Sequence, residues 1–200
     1  MKKTISNEQM NLLPLKQFEG EIIVVEDHSV VYELVNTLKH EDVLGFDTET
    51  KPSFKKGAVN QVSLIQLSTF DKAYLFRLNN IGFHQAIIDL LKDESVLKVG
   101  VAIKDDLRHL RKIKTFLPGG FIELQTLATS LGYKDTSLKK LAALFMNIRI
   151  SKRQRLSNWE AKELSQGQLT YAATDAWAAL EIYNKICIME PSVVPEPIEL

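Results

Sequence analysis

The two periodicities of this chain are segregated along its length, and that restricts the fold more than any other feature. Strand-like runs gather in the first half of the 200 residues, with helices between them, and helical spacing fills the second half. After Gly20, residues 21–25 form a β-branched run that reads as a strand. Residues 43–50 read as a second. Residues 62–67 and 73–76 are two more, close enough to pair as antiparallel neighbours. Residues 96–101 form another, and 121–124 a short one. Helices are expected from a Ser29 cap through Val30, Val31, Leu34, Val35 and Leu38, then over 84–91, and over 105–114 with Leu107 and Leu110 inward. Three more are expected over 126–131, 137–146 and 165–189. This interleaving implies an α/β domain built on one mixed sheet.

Residues 1–20 lack a clean period and read as an N-terminal arm or short helix. Residues 21–190 form one domain, and Pro191, Pro195 and Pro197 mark 191–200 as a flexible tail. Residues 51–60 read as a polar turn containing Pro52 and Gly57. Lys2 and Lys3 are followed by polar residues rather than by an apolar run, and no stretch approaches the length of a membrane span. Cys187 is the only cysteine, which excludes an intramolecular disulfide. A soluble cytoplasmic protein with no membrane partner is expected.

With 25 basic and 25 acidic residues, the net charge is zero. Its distribution is uneven. Residues 98–155 hold 13 Lys/Arg and 4 Asp/Glu, a net of +9, which leaves −9 for the remainder. Such asymmetry suits one polyanion-facing side; chance clustering of solvated charges is the bland alternative.

Five residues carry the chemistry. Asp47 and Glu49 lie two apart on an expected strand, so both carboxylates share one face. Acids are depleted in strands and repel each other, and a divalent cation between them is the economical remedy. Alone, the pair could equally be a solvated strand end. Asp105 and Asp106 open a helix after the 96–101 strand, where the helix dipole favours a carboxylate. Either could be an ordinary cap, and spacing does not choose between them. Tyr171 and Asp175 lie four apart in an alanine-rich helical stretch, on one face. An Asp in such a helix is costly unless paired or metal-bound; a structural Tyr–Asp hydrogen bond would also satisfy it.

The order of these elements resembles the DEDD exonuclease superfamily in its tyrosine-bearing branch, with ribonuclease D and, more closely, the Werner-helicase exonuclease domain as its relatives. The matching strings are Gly45-Phe46-Asp47-Thr48-Glu49, Ser63-Leu64-Ile65-Gln66-Leu67, Val99-Gly100-Val101-Ala102-Ile103-Lys104-Asp105-Asp106-Leu107, Phe121-Ile122-Glu123-Leu124, Leu156-Ser157-Asn158-Trp159 and Tyr171-Ala172-Ala173-Thr174-Asp175-Ala176. They run over 22–186. The resemblance implies a ribonuclease H-like mixed sheet flanked by helices. It also selects Asp106, which falls where the family's third motif places its acid; Asp105 departs from a position that is often glycine.

The resemblance further implies a 3′-5′ exonuclease that uses two Mg²⁺ or Mn²⁺ ions to release nucleoside 5′-monophosphates. Asp47 would bridge both ions, Glu49 and Asp175 would complete one shell, Asp106 would hold the second ion, and Tyr171 would orient the attacking water. The donor set agrees, since hard ions take carboxylate oxygens. No zinc-like His/Cys cluster is present, and His28, His40, His84 and His109 read as surface residues of unrelated segments.

Lys152, Arg153 and Arg155, with Arg149, form a basic run suited to strand phosphates. Arg108, Arg111, Lys112 and Lys114 form another, and either run could be a plain solvated face. Trp159 could stack on a base, although a core role suits it better. The expected partner is a nucleic-acid 3′ end, with DNA slightly favoured because the chain is short for ribonuclease D's accessory helical domains. The alternatives are a ribonuclease D-like RNA 3′-end processing enzyme, a catalytically inactive nucleic-acid binder and an unrelated metal-dependent phosphatase.

Overall fold

The computed structural model describes residues 3–53, 60–193 and 197–198. Six strands form one sheet: β1 (Glu21–Val25), β2 (Val43–Thr50), β3 (Val62–Ser68), β4 (Lys72–Arg77), β5 (Leu97–Gly100) and β6 (Phe121–Glu123). Their order across the sheet is β1-β4-β3-β2-β5-β6. β3 runs antiparallel to β2 and β4, and every other neighbouring pair is parallel. The cause is connection length. Only three residues link β3 to β4, which forces a hairpin, and the parallel neighbours are joined through helices.

The helices are α1 (Asn7–Asn11), α2 (Val31–Leu38), α3 (Leu78–Ile81), α4 (Gln85–Lys92), α5 (Ile103–Ile113), α6 (Leu124–Ser130), α7 (Leu138–Leu141) and α8 (Gln166–Met189). Strand alternation divides them between two faces. Leu44, Phe46, Ile65, Leu67 and Phe76 point to one face, where Val35 of α2, Ile87 of α4 and Leu107 of α5 complete a core. On the opposite face Leu64 and Leu75 meet Trp159, Tyr171 and Ala172. α8 is apolar on nearly every side because it is enclosed, with α6 and α7 packed beyond it.

The mixed sheet, the hairpin and the inward Leu107 and Leu110 are as the sequence reads. Four local expectations are corrected. Ser29 is not the cap of α2: Asp27 accepts from the Ser29 amide at 2.8 Å and opens a 3-10 turn, His28–Val30, that leads into the helix. Asp105 is not a cap either, since α5 starts two residues earlier and is preceded by Ala102 in a left-handed conformation. The helix expected over 137–146 ends as α7 and continues as a wider π-helical segment, Ala142–Met146. The histidines are not all unrelated, because the His28 and His84 rings meet edge to face at 4.7 Å.

Trp159 is fully buried, which gives it the core role rather than a base-stacking one. Lys98 leaves the basic stretch altogether. It is buried and donates to the carbonyls of Leu90, Asp93 and Val96 at 3.2, 2.5 and 2.7 Å. Residues 54–59 of the polar turn, and 194–196 and 199–200 of the tail, lie outside the described residues. Ile198 donates its amide to the Phe121 carbonyl at 2.8 Å. No helix among the described residues is long and apolar enough to cross a membrane.

Candidate active site

β2 supplies the first two acids. Asp47 stands opposite Gln66 and Glu49 opposite Leu64 across the β2–β3 ladder, so both acids share the face that α8 covers. The helix comes close because Gly45 carries no side chain: a Cβ there would collide with the Ala176 carbonyl oxygen. Tyr171 and Asp175 sit on the inward side of α8, and both are buried. One carboxylate oxygen from each of Asp47, Glu49 and Asp175 lies within 4.8 Å of the other two. Asp175, distant in sequence from Asp47 and Glu49, thus converges with them at one point.

Asp106 arrives from the first turn of α5 and accepts the Thr48 hydroxyl at 2.6 Å. It stands beside the three-acid group without being one of its members. Asp105 turns outward to an ion pair with Arg108 at 2.6 Å, with both side chains exposed. The structure therefore directs Asp106, and not Asp105, toward the acids of β2.

The electrostatics are those of buried carboxylates crowded together. Burial raises the Asp47 carboxyl, against a Thr48 amide hydrogen bond and Lys152, which favour its charged form. Burial and then the charges of Asp47, Asp175 and Asp106 raise Glu49, opposed by Arg155. Asp175 is held well above the usual carboxylate range by burial and by Asp47, opposed by the Tyr171 hydrogen bond and by Lys152. Asp106 is raised likewise by burial and by Asp47, opposed by Thr48. Burial followed by the nearby carboxylates pushes the Tyr171 phenol upward, so it remains protonated and donates.

The basic run faces these acids. Lys152 shares a cavity of about 190 Å³ with Asp47 and Asp175. Arg155 acts on Glu49, and Arg153 lines a larger groove beside Tyr171. Arg149 is an anchor, its Nε donating to the Leu13 carbonyl at 3.0 Å. Arg108, Arg111 and Lys112 line a separate depression on α5.

Three supporting residues were not singled out by sequence reasoning. Thr48 holds Asp106. Gln66 is fully buried beside Asp47, and neither its amide nitrogen nor its amide oxygen has a hydrogen-bond partner among the described residues. Glu123 accepts the amides of Ala102 and Ile103 at 3.1 and 2.8 Å and so fixes the start of the helix that carries Asp106. All three stand inside the strings that carry the resemblance, and that is the one signal that could have found them.

Residues 22–189 match the 3′-5′ exonuclease family model. Exonuclease 3′-5′ domain-containing protein 2 of Drosophila melanogaster is 38% identical over 184 residues, covering 88% of this chain and 31% of that protein. The bifunctional 3′-5′ exonuclease/ATP-dependent helicase WRN of Mus musculus is 35% identical, covering 87% of this chain and 13% of that protein. The chain thus spans less than a third of either relative. The crystal structure of the Aedes aegypti Nibbler EXO domain superposes with a TM-score of 0.80 at 24% identity, covering 91% of this chain and 95% of that one. The mixed sheet is the ribonuclease H-like arrangement of such exonuclease domains. Fold, motif order and family match agree, and the chain belongs to the 3′-5′ exonuclease family.

Proposed function

We propose that this chain hydrolyses phosphodiester bonds at nucleic-acid 3′ ends, releasing one nucleoside 5′-monophosphate at a time. The observation that carries this reading is the convergence of Asp47, Glu49 and Asp175 within 4.8 Å, with Tyr171 one helical turn before Asp175 on α8. The catalytic unit is residues 21–190, between an arm (1–20) and a tail (191–200). Cytoplasmic residence belongs to the same reading, since a single thiol suits a reducing compartment.

The site fits a pair of Mg²⁺ or Mn²⁺ ions. Its donors are carboxylate oxygens, and their raised proton affinity marks a place where positive charge would stabilise them. Asp47 would be shared between the ions, Glu49 and Asp175 would complete one set of donors, and Asp106 would serve the other. Ions bound there would polarise the phosphoryl oxygens and acidify a bound water. The side chains account for the rest. Tyr171 stays protonated, so it orients a water instead of removing its proton. Lys152, which shares a cavity with Asp47 and Asp175, would neutralise a strand phosphate, and Arg153 and Arg155 would extend the cationic side.

The test uses DNA and RNA oligonucleotides of one sequence, labelled at either end, with Mg²⁺, with Mn²⁺ and with chelator. A 5′-labelled strand should shorten as a ladder, and chelator should stop it. Asp47→Ala should lose at least ~100-fold in rate with its thermal transition retained. Full activity in that variant, or an intact but retarded strand with the wild-type chain, would overturn the reading. The DNA preference expected from the sequence is read as the ratio of the two strands' rates.

A further inference from the structure

We propose that the N-terminal arm is a substrate-binding element: residues 15–17 form one wall of a groove that receives the sugar-phosphate backbone of a single nucleic-acid strand next to Tyr171. This rests on the catalytic reading above and goes beyond it, because that reading leaves the arm outside the working unit.

Beside the Arg149 bond to Leu13, two fastenings hold this stretch of the arm to the domain. Arg149 donates its amide to the Pro14 carbonyl at 2.9 Å, and Lys16 donates its amide to the Arg149 carbonyl at 3.0 Å, a parallel bridge centred on Leu15. Further on, Phe18 donates its amide to the Thr174 hydroxyl at 3.0 Å. The Phe18 ring is buried, with the Trp177 ring 6.2 Å away. Between these fastenings the chain is held in one path, and the Lys16 ammonium lies 3.9 Å from the exposed Glu19 carboxylate. Lys16 is about half exposed, and Leu15 is 51% exposed.

The space enclosed is a groove of about 600 Å³ between this wall, the 149–154 segment and α8. That is within the range of sites for small ligands, roughly 300–1,000 Å³, so it suits a nucleotide or two of one strand. Its lining is one-signed. Lys16, Arg149, Lys152 and Arg153 contribute, and no Asp or Glu does, although the whole chain is neutral. Gln166 and Thr170 of α8 add neutral polar groups, and exposed Leu15 adds an apolar surface for a sugar or base. Cations with polar amides and one apolar contact form a phosphate-tracking surface that does not read sequence.

The groove is continuous with the acid site. Tyr171 lines it and stands one turn before Asp175 on α8. Lys152 lines both this groove and the cavity that holds Asp47 and Asp175. A strand cut at the acids therefore has its neighbouring nucleotides beside the arm. The occupant is a polyanion because nothing in the groove would balance a cation, and it is a strand because the acids next to it require a phosphodiester.

The experiment compares the p-nitrophenyl ester of thymidine 5′-monophosphate with single-stranded thymidylate oligomers of increasing length, for the wild type and for Lys16→Glu combined with Gln166→Glu. Both positions are exposed, and equal thermal transitions confirm folding. In the wild type, kcat/KM should rise over the first few nucleotides and then level. In the variant, the ratio of oligomer to ester kcat/KM should fall by ~10-fold or more, through KM, and the salt dependence of KM should flatten by about one phosphate contact per lost cation. An unchanged ratio and salt slope in the variant would overturn the proposal. A fluorescent thymidylate octamer titrated by anisotropy in chelator separates this failure from failure of the catalytic reading. An inactive wild type that binds the octamer, with the variant binding ~10-fold more weakly, sinks the catalysis and keeps the groove; equal binding by both sinks the groove.

Discussion

Asp105 and Asp106 are neighbours of the same chemical type, and the structure gives them opposite tasks. Successive helical residues are rotated by about 100°, so two adjacent acids cannot face one site. Asp106 takes the inward direction and accepts the Thr48 hydroxyl, whereas Asp105 takes the outward one and pairs with Arg108. Asp106→Ala should slow strand hydrolysis by at least ~100-fold, about 3 kcal/mol of barrier. Asp105→Ala should change the rate by less than about twofold, the usual scale of an exposed ion pair. Single-turnover rates of the two variants on one labelled oligonucleotide decide this, and a reversed order would assign the site to Asp105. Sequence spacing alone left the two equivalent, because the phase of a helix depends on where it starts. The family motif supplied that phase. By contrast, Asp47 with Glu49, and Tyr171 with Asp175, were legible from period alone, since strand and helix repeats fix their faces whatever the boundaries.

The element that carries Asp106 is held at a strained start. Ala102 adopts φ 63° and ψ 28°, a left-handed conformation that costs a residue with a Cβ about 1 kcal/mol. What offsets the strain lies on another strand. Glu123, at the end of β6, accepts the amides of Ala102, Ile103 and Gln125, at 3.1, 2.8 and 3.1 Å. One carboxylate thus serves the first turns of α5 and α6 together and ties both to the sheet edge. Glu123→Ala should destabilise the domain by about 2 kcal/mol in urea unfolding, as expected for buried amides that lose an acceptor. It should also lower kcat more than it raises KM, because Asp106 would lose its place without any loss of strand contacts. Glu123→Gln keeps one acceptor oxygen and should recover most of both. A Glu123→Ala variant with wild-type stability and kcat would remove Glu123 from this positioning role. The clamp escaped sequence reading for a physical reason: its partners lie 20 residues apart, and an alanine in left-handed geometry carries no mark of it. The same holds for the Asp27 turn ahead of α2, where the bond that fixes the boundary runs from a side chain to the backbone rather than along an apolar period.

Across the whole molecule, folding forces acidic groups together and relies on something else to neutralise them. Asp47, Glu49, Asp106 and Asp175 all bind protons more tightly in the fold than in free chain, with burial the first cause for each. Asp47 is pushed up to about 7. Unfolded carboxyls ionise near ~4, so between about pH 4 and 7 the folded chain holds protons that the unfolded chain has released. The stability that these four groups contribute without metal is therefore full below pH ~4 and declines as pH rises through 7 and, for Glu49, on toward about 10. A divalent ion at the site replaces those protons, and it competes with fewer of them as pH increases. Chelated protein should thus melt at a lower temperature at pH 8 than at pH 5.5. Saturating Mn²⁺ should raise the transition at pH 8 and do little at pH 5.5. At a hundred times its dissociation constant the ion contributes ~2.7 kcal/mol, or roughly 5–10 °C for a domain of this size. Asp175→Asn separates site from background. Removal of one buried charge should raise the chelated protein's transition at pH 8, while the Mn²⁺ response shrinks because a ligand is gone. Calorimetric scans of both proteins at the two pH values, with chelator and with Mn²⁺, read all of these shifts. A Mn²⁺ response equal at both pH values, or undiminished in Asp175→Asn, would mean that ions bind elsewhere and that the convergence of these acids serves another purpose.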